Sequence, residues 1–331
     1  MERVAVIGAG SWGTTAAWLA AANASVHLWA RDHRVAEEIN ASGFNSRYLP
    51  GCKLPPGLRA TSDLAEAVSD ADLIAVAVPS HGFREVFERI VPVMPARVPV
   101  ISLTKGIEQD SLLRMTEIIG GLLPDHDPTQ FGVLTGPNLA SEVAAGQPTA
   151  AVVAVGDPQS AGHIQEVFMA PLFRVYTNDD VVGSELGGAL KNVMAIAAGM
   201  SDGLGFGDNT RATLITRALA ELTRLGVRLG GRPGTFAGLA GMGDLIATCV
   251  SDKSRNHRVG FGMAQGRSLD EVIGDMQMVA EGVKTTRAVI DLAARFDVEM
   301  PIANHVGRVL YEGLGPREAM LSLMTREAKP E

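Results

Sequence analysis

Lys191 stands in "GGALKNVMAIAAG" (187–199), the single charged side chain in a run of small and apolar residues. A helix built from such a run is buried on most sides. Its ammonium would need a buried partner or a task that offsets the lost hydration. The alternative is a lysine that lays its stem along apolar surface and keeps its head in water. A second cluster, "DKSRNHR", sets Ser254, Arg255 and Asn256 in succession. Three neighbouring hydrogen-bonding side chains suit an anion, and a guanidinium can grip a phosphate with two parallel N–H bonds. With His257 and Arg258 alongside, the same stretch would also serve as a solvated basic turn.

A third pattern is "VAVIGAGSWGTTAAWLA", which spaces Gly8, Gly10 and Gly13 as G-x-G-x-x-G between a predicted strand and a predicted helix. That context is what dinucleotide binding requires of the motif. Gly8 permits the tight turn, Gly10 lets a pyrophosphate approach the backbone, and Gly13 lets the helix pack on the strand. The N–H groups at the helix start then face the phosphates. The next strand ends at "WARDHR", where an acid normally binds the two ribose hydroxyls of NAD. Here Arg31 precedes Asp32. A guanidinium favours the 2′-phosphate of NADP, and strand alternation should turn the two side chains apart. The reading is NADP or NAD as cofactor, with NADPH used at least as well as NADH because of Arg31.

These residues need elements to hold them. "RVAVI", "VHLW", "LIAVAV", "PVISL", "FGVL", "AAVVAV" and "FRVYT" are short runs rich in valine and isoleucine. Helical patterns such as "LAEAVS", "FREVFERIV" and "SLLRMTEIIGGLL" separate most of them. Apolar strands alternating with helices predict a largely parallel sheet covered on both faces. After about Val182 only helical periodicity remains, as in "NTRATLITRALAELTRLG", "GVKTTRAVIDLAARF" and "IANHVGRVLYEGL". The expected architecture is α/β: a doubly wound Rossmann domain over 1–182, then an all-α domain over 183–331.

The totals narrow the function. A chain of 331 residues with 46% hydrophobic side chains can build two packed domains. Its formal net charge of −8 argues against a general nucleic-acid binder. Cys52 and Cys249 lie far apart without metal-ligand spacing. No metal is expected, and a reducing cytoplasm suits both thiols. The N-terminus imitates a secretory signal, but three glycines interrupt its apolar stretch. No run approaches the roughly 20 apolar residues of a membrane span, so a soluble cytoplasmic protein without membrane partners is expected.

Five stretches in order, "GAGSWGT", "LTKGIE", "LTGPNLASEVAAGQPTA", "GGALKNVMAIAAGMSDGLGFGDNT" and "GLAGMGDLIATCVSDKSRN", resemble the signature blocks of NAD(P)-dependent glycerol-3-phosphate dehydrogenases of bacterial type. With "VAEGV" they span residue 8 to about residue 282. One departure is Asn138, where many members have serine or threonine. The resemblance implies reversible NAD(P)H-dependent reduction of dihydroxyacetone phosphate to sn-glycerol 3-phosphate, supplying glycerophospholipid synthesis, and it points to a homodimer. Lys191 matches the family's catalytic lysine, which protonates the carbonyl oxygen. Burial and a second cation, Lys105, would lower its pKa into a useful range. Asp244 would orient it, with Thr248 one helical turn on, and Asn192 would steady substrate oxygens. The resemblance places substrate contacts at Lys105, Gly136, Asn138, Lys191, Asp244, Ser254, Arg255 and Asn256. It places cofactor contacts at Gly8, Gly10, Ser11, Trp12, Gly13, Lys105, Ala140, Arg255, Val279 and Glu281, beside Arg31 from the strand-end argument above.

Taken without those blocks, Asp244 would read as a helix cap, Lys105 as a solvated loop cation and Glu281 as a surface glutamate. Two other functions compete. A two-domain reductase of a 2-keto acid or 3-hydroxy acid would need a carboxylate clamp, and "SRN" suits a phosphate better. A dinucleotide-sensing regulator would keep the glycine loop without needing Lys191, Lys105 and Asp244 together. It would also carry a basic recognition module, which the sequence lacks.

Overall fold

The computed structural model describes residues 2–276 and 279–327. The chain forms two compact units, Met1–Lys105 with Leu113–Glu185, and Gly106–Leu112 with Leu186–Glu331. The division runs through a helix, Val181–Gly203, that starts as the last strand ends.

In the first unit, β1 (Arg3–Ile7), α1 (Ser11–Ala20), β2 (Ser25–Trp29) and α2 (His33–Ser42) open the chain. A short hairpin follows, β3 (Phe44–Asn45) with β4 (Leu49–Lys53), and then β5 (Leu58–Thr61). After it come α3 (Leu64–Val68), β6 (Leu73–Val76), α4 (Phe83–Ile90), β7 (Val100–Ser102) and α5 (Met115–Leu122). The unit closes with β8 (Phe131–Thr135), α6 (Ala140–Ala144), β9 (Thr149–Val155), α7 (Pro158–Phe168) and β10 (Phe173–Asn178). Eight strands form one sheet in the order β10-β9-β8-β7-β6-β1-β2-β5. All neighbours are parallel except β8 and β9.

The apolar runs fill both faces because strand side chains alternate. Val4 and Val6 of β1 join Leu28 and Ile101 in one core, while Ala5 and Ile7 join Ile74 and Val76 in the other. The seven strands expected from valine and isoleucine are all present; the hairpin and β5 are additional. "SLLRM" does not start a helix as its periodicity suggests. Leu112 takes a φ of 61°, and α5 begins at Met115. There the buried Glu185 accepts hydrogen bonds from Arg114 (2.9 Å) and from the backbone N–H of Thr116 (3.0 Å).

The second unit is helical, as expected. It comprises most of α8 (Val181–Gly203), then α9 (Asp208–Arg228), α10 (Pro233–Phe236), a π turn at Leu239–Gly243 and α11 (Asp244–Val250). α12 (Arg255–Ala264), α13 (Leu269–Gly274), α14 (Glu281–Arg295), α15 (Pro301–Tyr311) and α16 (Pro316–Met324) complete it. α8 is buried without interruption over 183–201. It meets α12 at backbone distance. A methyl on Gly199 would fall 1.9 Å from the His257 carbonyl oxygen, and one on Gly260 would fall 1.9 Å from that of Ile196. Glu221 of α9 accepts from the Ile302 N–H at 2.8 Å, satisfying the start of α15. Burial pushes that carboxyl up to about 7 despite the hydrogen bonds. Among the described residues no single helix is long and apolar enough to cross a membrane.

Candidate active site

In the first unit the chain leaves β1 at Gly8 with φ 118°, a conformation that side chains disfavour. A Cβ there would also sit 2.7 Å from the Ala77 carbonyl oxygen. On Gly13 a Cβ would lie 1.9 Å from the Gly8 oxygen, whereas on Gly10 it would meet nothing within 4 Å. Gly10 is the N-cap of α1 and its side is open, so a phosphate could reach the first N–H groups of the helix. Ser11 Oγ donates to the Tyr48 carbonyl at 2.5 Å. The Trp12 indole Nε1 is buried and meets no hydrogen-bond partner among the described residues.

β2 ends at Trp29, so strand alternation does not separate Arg31 from Asp32. The separation has another cause. Asp32 caps α2, accepting from the Arg34 backbone N–H at 3.1 Å and from its guanidinium at 3.1 and 3.0 Å. The side-chain bonds from Arg34, aided by the backbone one, hold this carboxyl below its ordinary value. Arg31 stays exposed.

Past β7, Lys105 is half-buried rather than a solvated loop cation, and its Nζ donates to the Gly136 carbonyl at 2.9 Å. Gly136 directly follows β8 with φ 123°. Asn138 follows, with both polar atoms of its amide buried and without a hydrogen-bond partner among the described residues. Ala140 is the first residue of α6. Two orphaned buried polar side chains, Trp12 and Asn138, and an open helix start fit a dinucleotide with a polar ligand beside it.

The second unit explains the lone lysine. Lys191 does not reach water; 5% of its surface is exposed. Its Nζ forms an ion pair with Asp244 and donates to Thr248 Oγ1 at 2.5 Å. Thr248 in turn donates to the Asp244 carbonyl at 2.6 Å, so its oxygen faces the ammonium as an acceptor. The π turn before α11 delivers Asp244, which is buried and is the first residue of that helix, with Gly243 at the N-cap position. Neighbouring Cys249 is inert, its thiol pushed up to about 12 by burial.

One residue on, Asn192 accepts from Asn256 Nδ2 at 2.9 Å, and Asn256 Oδ1 accepts from the Gly282 N–H at 2.9 Å. Gly282 has to be glycine: a Cβ would lie 2.6 Å from the backbone carbonyl oxygen of Asn192. "DKSRNHR" divides: Asp252 and Lys253 form an exposed turn, and Arg255 to Arg258 are the first turn of α12. Ser254 is the N-cap, accepting from the His257 N–H at 3.3 Å. Arg255 is exposed at its surface and donates to the Val279 carbonyl at 2.7 Å; desolvation by the surrounding protein lowers its pKa below the ordinary value, and the half-buried Glu281 that opens α14 offsets this only in part. His257 is buried against Asp202, Nε2 to Oδ2 2.8 Å.

Family models for the N-terminus and C-terminus of NAD-dependent glycerol-3-phosphate dehydrogenase match residues 3–161 and 180–321. The chain belongs to this family. A glycerol-3-phosphate dehydrogenase (NAD(P)+) 2 of Sphingopyxis alaskensis is 55% identical over 318 residues, 96% of this chain and 94% of the relative. The Geobacter sulfurreducens glycerol-3-phosphate dehydrogenase (NAD(P)+) is 51% identical over 331 residues, 100% of this chain and 99% of its own. A crystal structure of the Coxiella burnetii glycerol-3-phosphate dehydrogenase superposes with TM-score 0.93 at 39% identity, covering 98% of this chain and 99% of that one. A ketopantoate reductase of Ralstonia eutropha shares the fold alone, with TM-score 0.58 and 16% identity over 96% and 99% of the two chains.

Three contributors were not singled out from the family's blocks. Gly282 is visible only as the residue after Glu281. Asp202 lies inside a quoted block but carries no spacing that announces His257, 55 residues away. Asn45 lies in "GFNSRYLP", where nothing in the pattern points back to the glycine loop.

Proposed function

We propose that this member of the glycerol-3-phosphate dehydrogenase family catalyses the reversible reduction of dihydroxyacetone phosphate to sn-glycerol 3-phosphate with NADPH or NADH. The observation that carries it is full-length identity near one half to enzymes of that name. The buried Lys191–Asp244–Thr248 cluster supplies the matching chemistry. In this reading residues 1–182 serve the dinucleotide and 183–331 the substrate.

Held by the glycine loop, NAD(P)H would supply the hydride for the carbonyl carbon. Lys191 Nζ gives a proton to the carbonyl oxygen, completing the alcohol, and the neutral amine takes it back in the oxidation. Asp244 holds the ammonium in one place and compensates its charge where water does not. Thr248 fixes the direction of one Nζ–H. Arg255 and the N–H groups opening α12 bind the substrate phosphate, and Asn192 and Asn256, locked to each other, steady substrate oxygens. Ser254 keeps that helix start in shape. In the first unit, Lys105 offers a positive charge to anionic groups of substrate or cofactor. Gly136, Asn138 and Ala140 line the same strand ends. Gly8, Gly10, Ser11, Trp12 and Gly13 hold the dinucleotide, with Val279 and Glu281 contacting it from the start of α14. A panel of carbonyl compounds tests the assignment: dihydroxyacetone phosphate should be reduced far faster than ketopantoate or glyoxylate. Faster turnover of either acid would transfer the chain to a keto-acid reductase role.

The coenzyme preference follows from β2. Asp32 is committed to capping α2 and to Arg34, while Arg31 is exposed. NADPH should therefore serve at least as well as NADH. Arg31→Ala should lower kcat/KM for NADPH about tenfold, the loss of a charged hydrogen bond, and leave NADH nearly unchanged. Equal loss for both coenzymes would remove Arg31 from the 2′-phosphate. We further assign the protein to the cytoplasm as a homodimer, a state that light scattering measures.

A further inference from the structure

Asn45 is fully buried, yet its amide is completely engaged. Nδ2 donates to the Ala9 carbonyl at 2.9 Å and to Thr14 Oγ1 at 2.8 Å, and Oδ1 accepts from the Tyr48 N–H at 3.3 Å. The orientation is unambiguous, because a carbonyl can only accept and a backbone N–H can only donate. Ala9 is the middle residue of Gly8-Ala9-Gly10. The Ala9–Gly10 peptide is trans, so its C=O and N–H point in opposite directions. A side chain that holds the Ala9 oxygen inward therefore turns the Gly10 N–H outward, at the residue whose surroundings are open. The hairpin grips the loop a second time through Ser11 Oγ and the Tyr48 carbonyl.

We infer that Asn45 is a positioning residue for the cofactor: it fixes the peptide whose N–H meets the pyrophosphate and ties the β3–β4 hairpin to the glycine loop as one body. The inference rests on reading that loop as the pyrophosphate site. Asn45→Asp isolates it. The aspartate keeps the size and the acceptor for Tyr48 but sets an oxygen against the Ala9 oxygen. The Kd of NADPH and of ADP-ribose should rise about tenfold or more, the cost of losing a buried hydrogen bond and facing two acceptors. The KM of dihydroxyacetone phosphate should stay within about threefold.

Thr14→Val removes the other acceptor of the same amide and spares the Ala9 bond. It should lower Tm with NADPH affinity changed less than about twofold. If both variants weaken NADPH alike, or Asn45→Asp binds it normally, Asn45 is a packing residue and the inference falls. Hydrogen exchange of the wild-type protein gives an independent answer should the aspartate variant not fold. NADPH should protect 8–15 and 43–50 together. Protection confined to 8–15 overturns the inference and leaves the loop reading standing; protection of neither overturns both.

Discussion

Lys191→Met should reduce kcat for dihydroxyacetone phosphate by at least about 10²–10⁴-fold, the usual worth of general acid catalysis. NADPH affinity should remain near wild type. Methionine keeps the length of the side chain inside α8 and removes only the proton and the charge. The variant also removes the ion-pair partner of the Asp244 carboxylate, a residue with 1% of its surface exposed. Breaking a buried ion pair by removing one member costs about 3–5 kcal/mol, so Tm should fall with activity. The double variant Lys191→Met/Asp244→Asn separates the two effects. It should recover much of the stability and none of the turnover. A single variant that keeps more than about a tenth of the wild-type kcat would show that the proton comes from elsewhere.

Arg255→Ala should raise the KM of dihydroxyacetone phosphate about 10²-fold, as expected for two charge-assisted hydrogen bonds to one phosphate. Unphosphorylated dihydroxyacetone, a poor substrate throughout, should respond little. The comparison matters because Arg255 also donates to the Val279 carbonyl and lies beside Glu281. If its main task is to hold that segment, both compounds lose equally and NADPH binding weakens with them.

The legible parts of the molecule were those where one physical rule dominates. Strands buried on both faces are nearly continuous apolar runs, so β1, β6, β8 and β9 announce themselves. β3, β4 and β5, with "FN", "LPGCK" and "LRAT", lie where turn chemistry and polar residues mask the pattern. Lys191 was conspicuous because charge is rare in an apolar run. Its tie to Asp244 spans 53 residues and a π turn, a relation no spacing rule encodes, and it came within reach only through the resemblance. Strand alternation predicts that Arg31 and Asp32 point apart, whereas in the structure it is a helix cap that separates them. Asn45 stayed hidden because an asparagine in a loop reads as a turn residue, and its partners lie 31 and 36 positions earlier.

The contact between α8 and α12 limits how this scaffold can be re-engineered. Gly199 and Gly260 carry no reactive group, yet each faces a carbonyl oxygen where even a methyl would collide. They sit one or two helical turns from Asn192 and Asn256, the side chains a protein engineer would randomise to change the substrate. A library that diversifies whole segments of the two helices would lose most members to overpacking before any new specificity was sampled. One that varies 254–256 and holds both glycines fixed would spend its diversity on recognition.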